Sequence, residues 1–579
     1  MKQLLHLSKK QLFLFSCVFL IILLLFLGCT REKSFQEFTH NLFLEELSAN
    51  TLNLHYILES PSEYGLDNYE ISLGDYSKEG RLATVAHLES TLMELAIYPY
   101  LTLTTEEKLT FQVLEDYLST LLALSKYDLY QEPLSSSGVQ MELPILLSEY
   151  EFHTEQDVKD YLALLSLTDD FFGQILDFEK EKVSAGLFMS DLQCKKVIES
   201  CESFLENKDS HYLHTSFERR IKELSFSDKK KETYMKENAR LLEEVVFPTY
   251  EALIQELSQI LGSGKNEGGL CHFPSGKEYY EAIVYASTGC EDSIDTIFSR
   301  INEKRSDDLL ICAQLQDNNP ALLEQCAFLE WEMTDPMEML TSLQEQILDD
   351  FPVPPESSYE INYVEEALEE YLAPAFYIIA PLDNYLENTI YINNAYVTND
   401  LYGYTTLAHE GYPGHLYQTV MSYTYNLPEI RSILNFDGFT EGWATYIEMM
   451  SYSYAGLEED IASMLSHNQS AMLSLYASSD IGIHYYGWDL EDMYSFWGSF
   501  GITDKDAINE ITQLVLSKPG NYLSYYVGYL EFLDLQNMVS ASLKDDFSLM
   551  EFHRTLLDIG PAPFSIVERF FWEYYLPQT

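Results

Sequence analysis

The chain has 579 residues, of which 46% are hydrophobic, and its 93 acidic against 34 basic residues give a formal charge of −59. That apolar fraction is enough for a large core, and so negative a surface repels phosphate backbones and anionic headgroups, which argues against a nucleic-acid partner. Length alone permits one large domain or several smaller ones.

At the N-terminus, Lys2, Lys9 and Lys10 precede an apolar run from Leu12 to Leu27 and then Gly28-Cys29. Residues 1–28 therefore have the layout of a secretory signal. A small residue directly before a cysteine resembles the lipobox of bacterial lipoproteins. On that reading Cys29 becomes the lipidated first residue, residues 29–34 form a tether, and the body is held at the membrane outside the cytoplasm. An uncleaved membrane anchor is the alternative, with the same side of the membrane implied.

Residues 35–579 read mostly as amphipathic helix. Val158, Leu162, Leu165, Phe172 and Leu176 keep one face apolar. Thr104-x-x-Glu107 and Ser275-x-x-Glu278 carry the reciprocal pattern of a capping box. The small-residue stretch 262–269 is read as a loop within one helical body. Six cysteines follow Cys29, an even number that permits disulfides in an exported chain. Cys194 and Cys201 would sit about 10 Å apart on a helix, too far to bridge. Cys271 with Cys290 is the favoured pair, because Pro274 and Gly276 allow the chain to turn back between them.

One region departs from helix. Phe376–Ile379 and Thr389–Asn393 are short β-branched and aromatic runs that suggest a small hairpin. Two roles are open for it: a structural hairpin, or a strand that holds an extended peptide through its backbone, with Asn393 as a substrate contact.

The chemistry concentrates in His409-Glu410-Gly411-Tyr412-Pro413-Gly414-His415 and in Glu441-Gly442-Trp443-Ala444. Zinc helices of the H-E-x-x-H kind place two imidazoles four residues apart, about 40° around the axis. A spacing of six puts His415 roughly 120° from His409 on a straight helix. Pro413 and Gly414 are expected to bend it until both rings meet one ion. His409, His415 and Glu441 are then the zinc ligands, and Glu410 the general base and later acid. Glu448, seven residues after Glu441, is read as a hydrogen-bond partner of a ligand histidine, and is the nearby rival to Glu441 as a ligand.

These motifs resemble the bacterial domain-of-unknown-function family numbered 885, which is regarded as related to helical zinc peptidases. The resemblance extends through Phe273-Pro274-Ser275-Gly276-Lys277, Asp480-x-x-x-His484, Gly487-Trp488, Pro519-Gly520-x-x-Leu523-Ser524-Tyr525-x-x-Gly528 and Phe552-His553. It implies a mostly α fold with a deep cleft, similar to angiotensin-converting-enzyme and neurolysin-type peptidases. By the same analogy Tyr525 or His484 would stabilise the tetrahedral oxyanion and Tyr522 would bind substrate, while His553 is read as structural. The chain departs from common family residues at Leu416, Tyr476 and Leu514-Val515, so recognition of a substrate carboxylate is not expected from those positions.

The resulting expectation is an extracytoplasmic, lipid-anchored metallopeptidase using one zinc ion on short peptides. A noncatalytic peptide- or solute-binding lipoprotein and a zinc hydrolase of a non-peptide amide or ester are the alternatives. The sequence leaves the oligomeric state open.

Overall fold

A computed structural model describes residues 34–135, 138–364, 369, 372–396, 400–425 and 427–575. Residues 1–33, with the expected signal sequence, Cys29 and most of the expected tether, lie outside the described residues. The fold is mostly α with one small sheet. Among the described residues, no helix is long and apolar enough to cross a membrane.

Local sequence explains many helix limits. Ser34 opens the helix Phe35–Ser48 by accepting the Glu37 N–H, and the Thr104–Glu107 capping box is present with both of its bonds. The apolar stripe from Val158 to Leu176 is buried as expected, but over two helices, Glu155–Ser166 and Thr168–Ala185. The capping box at Ser275 does not form. Ser275 takes a left-handed conformation (φ 52°) with no side-chain cap, in a tight turn where Gly276 lies against the Leu270 carbonyl.

Two large hydrophobic cores divide near the 262–269 connection. One is built from residues between Leu52 and Leu257, the other mainly from residues between Leu270 and Phe571. The second core carries the site. Its relevant helices, numbered in chain order, are α1 (Gly276–Thr288), α2 (Leu401–Glu410), α3 (His415–Thr424), α4 (Asp437–Tyr454), α5 (Glu459–Ile481) and α6 (Asn521–Leu543).

The sheet has three strands, β1 (Ser358–Tyr363), β2 (Ala375–Ile378) and β3 (Glu387–Ile392), in the order β1-β3-β2. The expected hairpin is the antiparallel β2–β3 pair, with Tyr377 opposite Ile390. β1 adds a parallel partner that the sequence reading missed. β3 buries Asn388, Ile390 and Ile392 on one face, whereas β1 stays mostly exposed. β2 is an edge strand.

The six cysteines of the described region are all free thiols. The expected Cys271–Cys290 bridge is overturned: Cys271 Sγ lies against the Ile483 carbonyl, whereas buried Cys290 lies beside the Arg300 guanidinium.

Candidate metal centre

The two histidines arrive on separate helices. α2 stops at Glu410, residues 411–414 turn, and His415 opens α3. A bent continuous helix was expected; the chain instead breaks, because a proline cannot supply the next helical N–H. The Tyr412–Pro413 peptide bond is cis. A Cβ on Gly414 would collide with the His409 carbonyl oxygen, so the turn folds back on the end of α2 only with glycine there. The buried Trp443 indole on α4 donates to the Pro413 carbonyl at 2.9 Å and ties the turn to the helix of Glu441.

The structure brings His409, His415 and Glu441 together. Oε2 of Glu441 lies 3.5 Å from Nε2 of His409 and 3.5 Å from Nε2 of His415, yet this buried oxygen has no hydrogen-bond partner. Two ligand atoms of one tetrahedral zinc ion lie about 3.4 Å apart, given metal–ligand distances near 2.0–2.1 Å. The donor set is the right one for zinc, and an orphaned carboxylate oxygen equidistant from two imidazole nitrogens fits a cation between them. Ligand atoms of His409, Glu410 and His415 also fall within 4.8 Å of one another, which keeps Glu410 at the edge of the same space. Of the two carboxylates, Glu441 reaches both imidazole nitrogens, while one oxygen of Glu410 accepts the Tyr377 N–H of β2 at 3.0 Å.

Glu448 faces the other side of the His409 ring, 3.5 Å from Nδ1, and also accepts from Gln469 Nε2 at 3.1 Å. A carboxylate in that place holds the ring with Nε2 turned toward Glu441 and His415. Burial acts to lower the His409 pKa, but Glu441 and Glu448 outweigh it and hold it well above its ordinary value. Burial likewise opposes ionisation of Glu441, and the neighbouring His415 and His409 overcome it, pushing this carboxyl well below its usual range. Burial dominates at Glu410 and raises its pKa. The pocket thus favours positive charge where the imidazoles converge, and metal binding would displace protons there.

Tyr525 completes the group. Its ring stacks on His409 with centroids 6.2 Å apart. Burial, then the Glu441 and Glu410 charges, raise its pKa well above the ordinary value, so the hydroxyl remains a donor. It reaches this place because α4 and α6 cross with backbones in contact: a Cβ on Gly442 would strike the Gly528 backbone, and one on Gly528 would strike the Gly438 carbonyl.

Two other site expectations, His484 and Asn393, are not met. His484 is buried with both nitrogens committed, Nδ1 accepting the Leu270 N–H at 3.2 Å and Nε2 donating to the Val515 carbonyl at 3.0 Å. Burial lowers its pKa to about 4, which describes a neutral structural histidine rather than an oxyanion donor. Asn393 is also buried. Its amide donates to the Glu369 and Leu372 carbonyls and its oxygen accepts the Ala395 N–H, closing the turn after β3 and leaving nothing for substrate. Tyr522 packs on Tyr476, centroids 4.9 Å apart, in the small core around Trp497. His553 lies between the Tyr446 hydroxyl and the Asp350 carbonyl, a structural role as read from sequence. Two contributors were missed. The Tyr377 contribution is a backbone N–H, for which no side-chain signal exists, while Trp443 was visible beside Glu441 but its target was not.

The centre opens into a cavity of about 650 Å³ whose lining includes His415, Glu441, Asp437 and Tyr377 from the second core. Tyr56 and Tyr117 close it from the N-terminal half, so the cleft follows the seam between the two halves.

A family model for bacterial proteins of unknown function, DUF885, matches residues 59–570. The chain belongs to the DUF885 family. Its fold matches a candidate lipoprotein from Colwellia psychrerythraea with a TM-score of 0.82 at 19% identity, covering 94% of this chain and 99% of that one. A candidate lipoprotein of unknown function from Shewanella oneidensis gives 0.66 at 16% identity, covering 93% and 100%. At these identities the likeness is one of fold. No curated protein matches this DUF885 chain.

Proposed function

We propose that this protein is a zinc-dependent peptidase acting on short peptides outside the cytoplasm, held at the membrane through Cys29. The observation that carries the reading is the orphaned Glu441 oxygen at 3.5 Å from both His409 and His415 nitrogens, with Glu410 beside it. The likeness in fold to candidate lipoproteins supports the anchor, together with the Gly28-Cys29 pair.

His409, His415 and Glu441 would hold a zinc ion, which would supply a Lewis acid and lower the pKa of water. Glu410, steadied by the Tyr377 N–H, takes a proton from the attacking water on its carboxylate and returns it to the leaving amine nitrogen. The Tyr525 hydroxyl donates to the oxygen of the attacked carbonyl as negative charge develops there. β2 is an edge strand whose Tyr377 N–H is already given to Glu410, and its remaining outward backbone groups would meet an extended peptide.

The test is digestion of a mixed peptide library by the mature chain, followed by mass spectrometry, with zinc, with chelator, and with Glu410→Gln. New termini formed only by the zinc-loaded wild type support the reading. Identical product patterns in all three samples overturn it.

A further inference from the structure

The helix Lys78–Leu95 leaves an apolar row in solvent. Leu82, Ala86 and Met93 fall within about 40° of one another around its axis, and all three are exposed. The row continues past the end of the helix. Ile97, whose N–H bonds to the Glu94 carbonyl, stands four residues beyond Met93, and Leu101 follows in the 3-10 turn Tyr100–Thr102. Leu82 is 63% exposed, Met93 67%, Ile97 72% and Leu101 89%. One apolar side chain in water is ordinary, whereas a row of them marks a contact surface. Charge is sparse along it for a chain of −59. Glu89 lies within the row, Glu94 beside it, and Lys78 and Glu79 at its far end, while Arg81 turns aside to Asp128 and Glu181.

The place of this row in the fold says what covers it. The helix Phe35–Ser48 begins six residues after Cys29, and the five steps from Cys29 to Ser34 reach at most about 18 Å when fully extended. The Phe35 ring meets Tyr98 with centroids 5.5 Å apart, and Phe38 meets the same ring at 5.2 Å. Tyr100 packs on Phe111, which also touches Phe35. Tyr98 is the neighbour of Ile97, and Tyr100 that of Leu101. The point where the tether enters the body and the most exposed end of the row are therefore one place on the surface.

Resting on the reading of Cys29 as the lipid attachment, we propose that Met93, Ile97 and Leu101, with the stripe behind them, lie in the interface of the bilayer that holds the anchor. So short a tether keeps this end of the body against the lipid. The apolar side chains then leave water, and Tyr98 and Tyr100 sit at headgroup level, where tyrosines are favoured. The contact adds a second attachment to the acyl chain, of the kind stable anchoring requires, and gives the body one orientation on the membrane. The strongly acidic body is repelled by anionic headgroups, so the surface that suits it is zwitterionic.

The test places the acylated mature chain, taken from membranes, in phosphatidylethanolamine–phosphatidylcholine liposomes and exposes it to hydroxyl radicals, with oxidation at each methionine read by mass spectrometry. The soluble Cys29→Ser chain is the reference. Met93 is expected to oxidise at least about threefold more slowly on liposomes, because a methionine in the interface is screened from the oxidant. Met337, exposed on the other half of the chain, should oxidise equally in both. Ile97→Ser combined with Leu101→Ser, both at solvent-facing positions, is expected to return Met93 to the soluble rate while the chain stays bound through its lipid. Equal oxidation of Met93 on and off liposomes overturns the contact and leaves the anchor standing. A Cys29 without lipid in the mass spectrum of the membrane-derived chain overturns the anchor, and the contact with it. If the Cys29→Ser chain self-associates in sedimentation and the two serine substitutions disperse it, the row belongs to a second copy and the lipid contact fails.

Discussion

Both carboxylate oxygens of Asp480 lie 3.0 Å from the backbone nitrogen of Gly520 and accept its N–H. Asp480 also accepts the Tyr280 hydroxyl at 2.5 Å from α1, so one buried side chain joins α1, α5 and the start of α6, the helix that carries Tyr525. Asp480→Ala orphans two buried donors, each worth about 1–3 kcal/mol. A lower urea midpoint with an unchanged slope is the expected result.

Burial raises the Asp480 pKa to about 7. An unfolded aspartate ionises near 3.9, so between about pH 4 and 7 the folded chain retains a proton that the unfolded chain releases. This residue's contribution is therefore fully present below pH 4 and is lost as pH rises through 7. Asp480→Asn cannot ionise. The difference in unfolding free energy between wild type and Asp480→Asn should move against the wild type as pH increases across that window. A constant difference would show that the side chain stays charged in the fold.

Glu410→Gln preserves shape and removes the base. Hydrolysis should fall by about 10²–10⁴, the usual range for a general base, while zinc stoichiometry by elemental measurement stays at one per chain. Loss of the ion together with the activity would instead mark Glu410 as a ligand.

Truncation of Glu448 separates ligands from their supports. Glu448→Ala should weaken zinc by about 10–100-fold in competition with a coloured chelator, as expected when a histidine loses its orienting carboxylate. Glu441→Ala should lose the ion outright. Equal losses in the two variants would remove the distinction between Glu441 as ligand and Glu448 as support.

Trp443→Phe keeps the aromatic volume but leaves the buried Pro413 carbonyl without its donor. The expected cost is about 1–3 kcal/mol in unfolding, and zinc affinity should fall as well, because the turn places His415. A stability loss with unchanged zinc affinity would show the turn to be fixed by other contacts.

Much of the site was readable because it rests on residue types with few alternative uses. Two histidines around Pro413-Gly414, a following Glu410 and a later Glu441 announce their convergence. The helical fold was readable from apolar spacing, and Thr104 from its cap. What failed did so for physical reasons. A buried, fully bonded His484 or Asn393 has the same letter as a functional one, and only the partners of its polar atoms tell them apart. β1 was missed although Tyr359-Glu360-Ile361-Asn362-Tyr363 alternates apolar and polar residues as a strand does; the stretch is short and mostly exposed, and its partner β3 follows only after β2. The break between α2 and α3 was misread as a bend, since a sequence shows that proline interrupts a helix without showing how sharply.

The contact between Gly442 and Gly528 has a wider consequence. At that crossing the helices of Glu441 and Tyr525 meet through main chain, which sets their closest approach, while Phe532 of α6 packs on Phe439, Trp443 and Tyr446 of α4 beside it. Substitutions that enlarge or shrink the neighbouring aromatic core would alter stability while leaving this separation nearly fixed. The chemistry is thereby insulated from drift in the residues that surround it, and two glycines, neither able to touch a substrate, become the positions least free to vary.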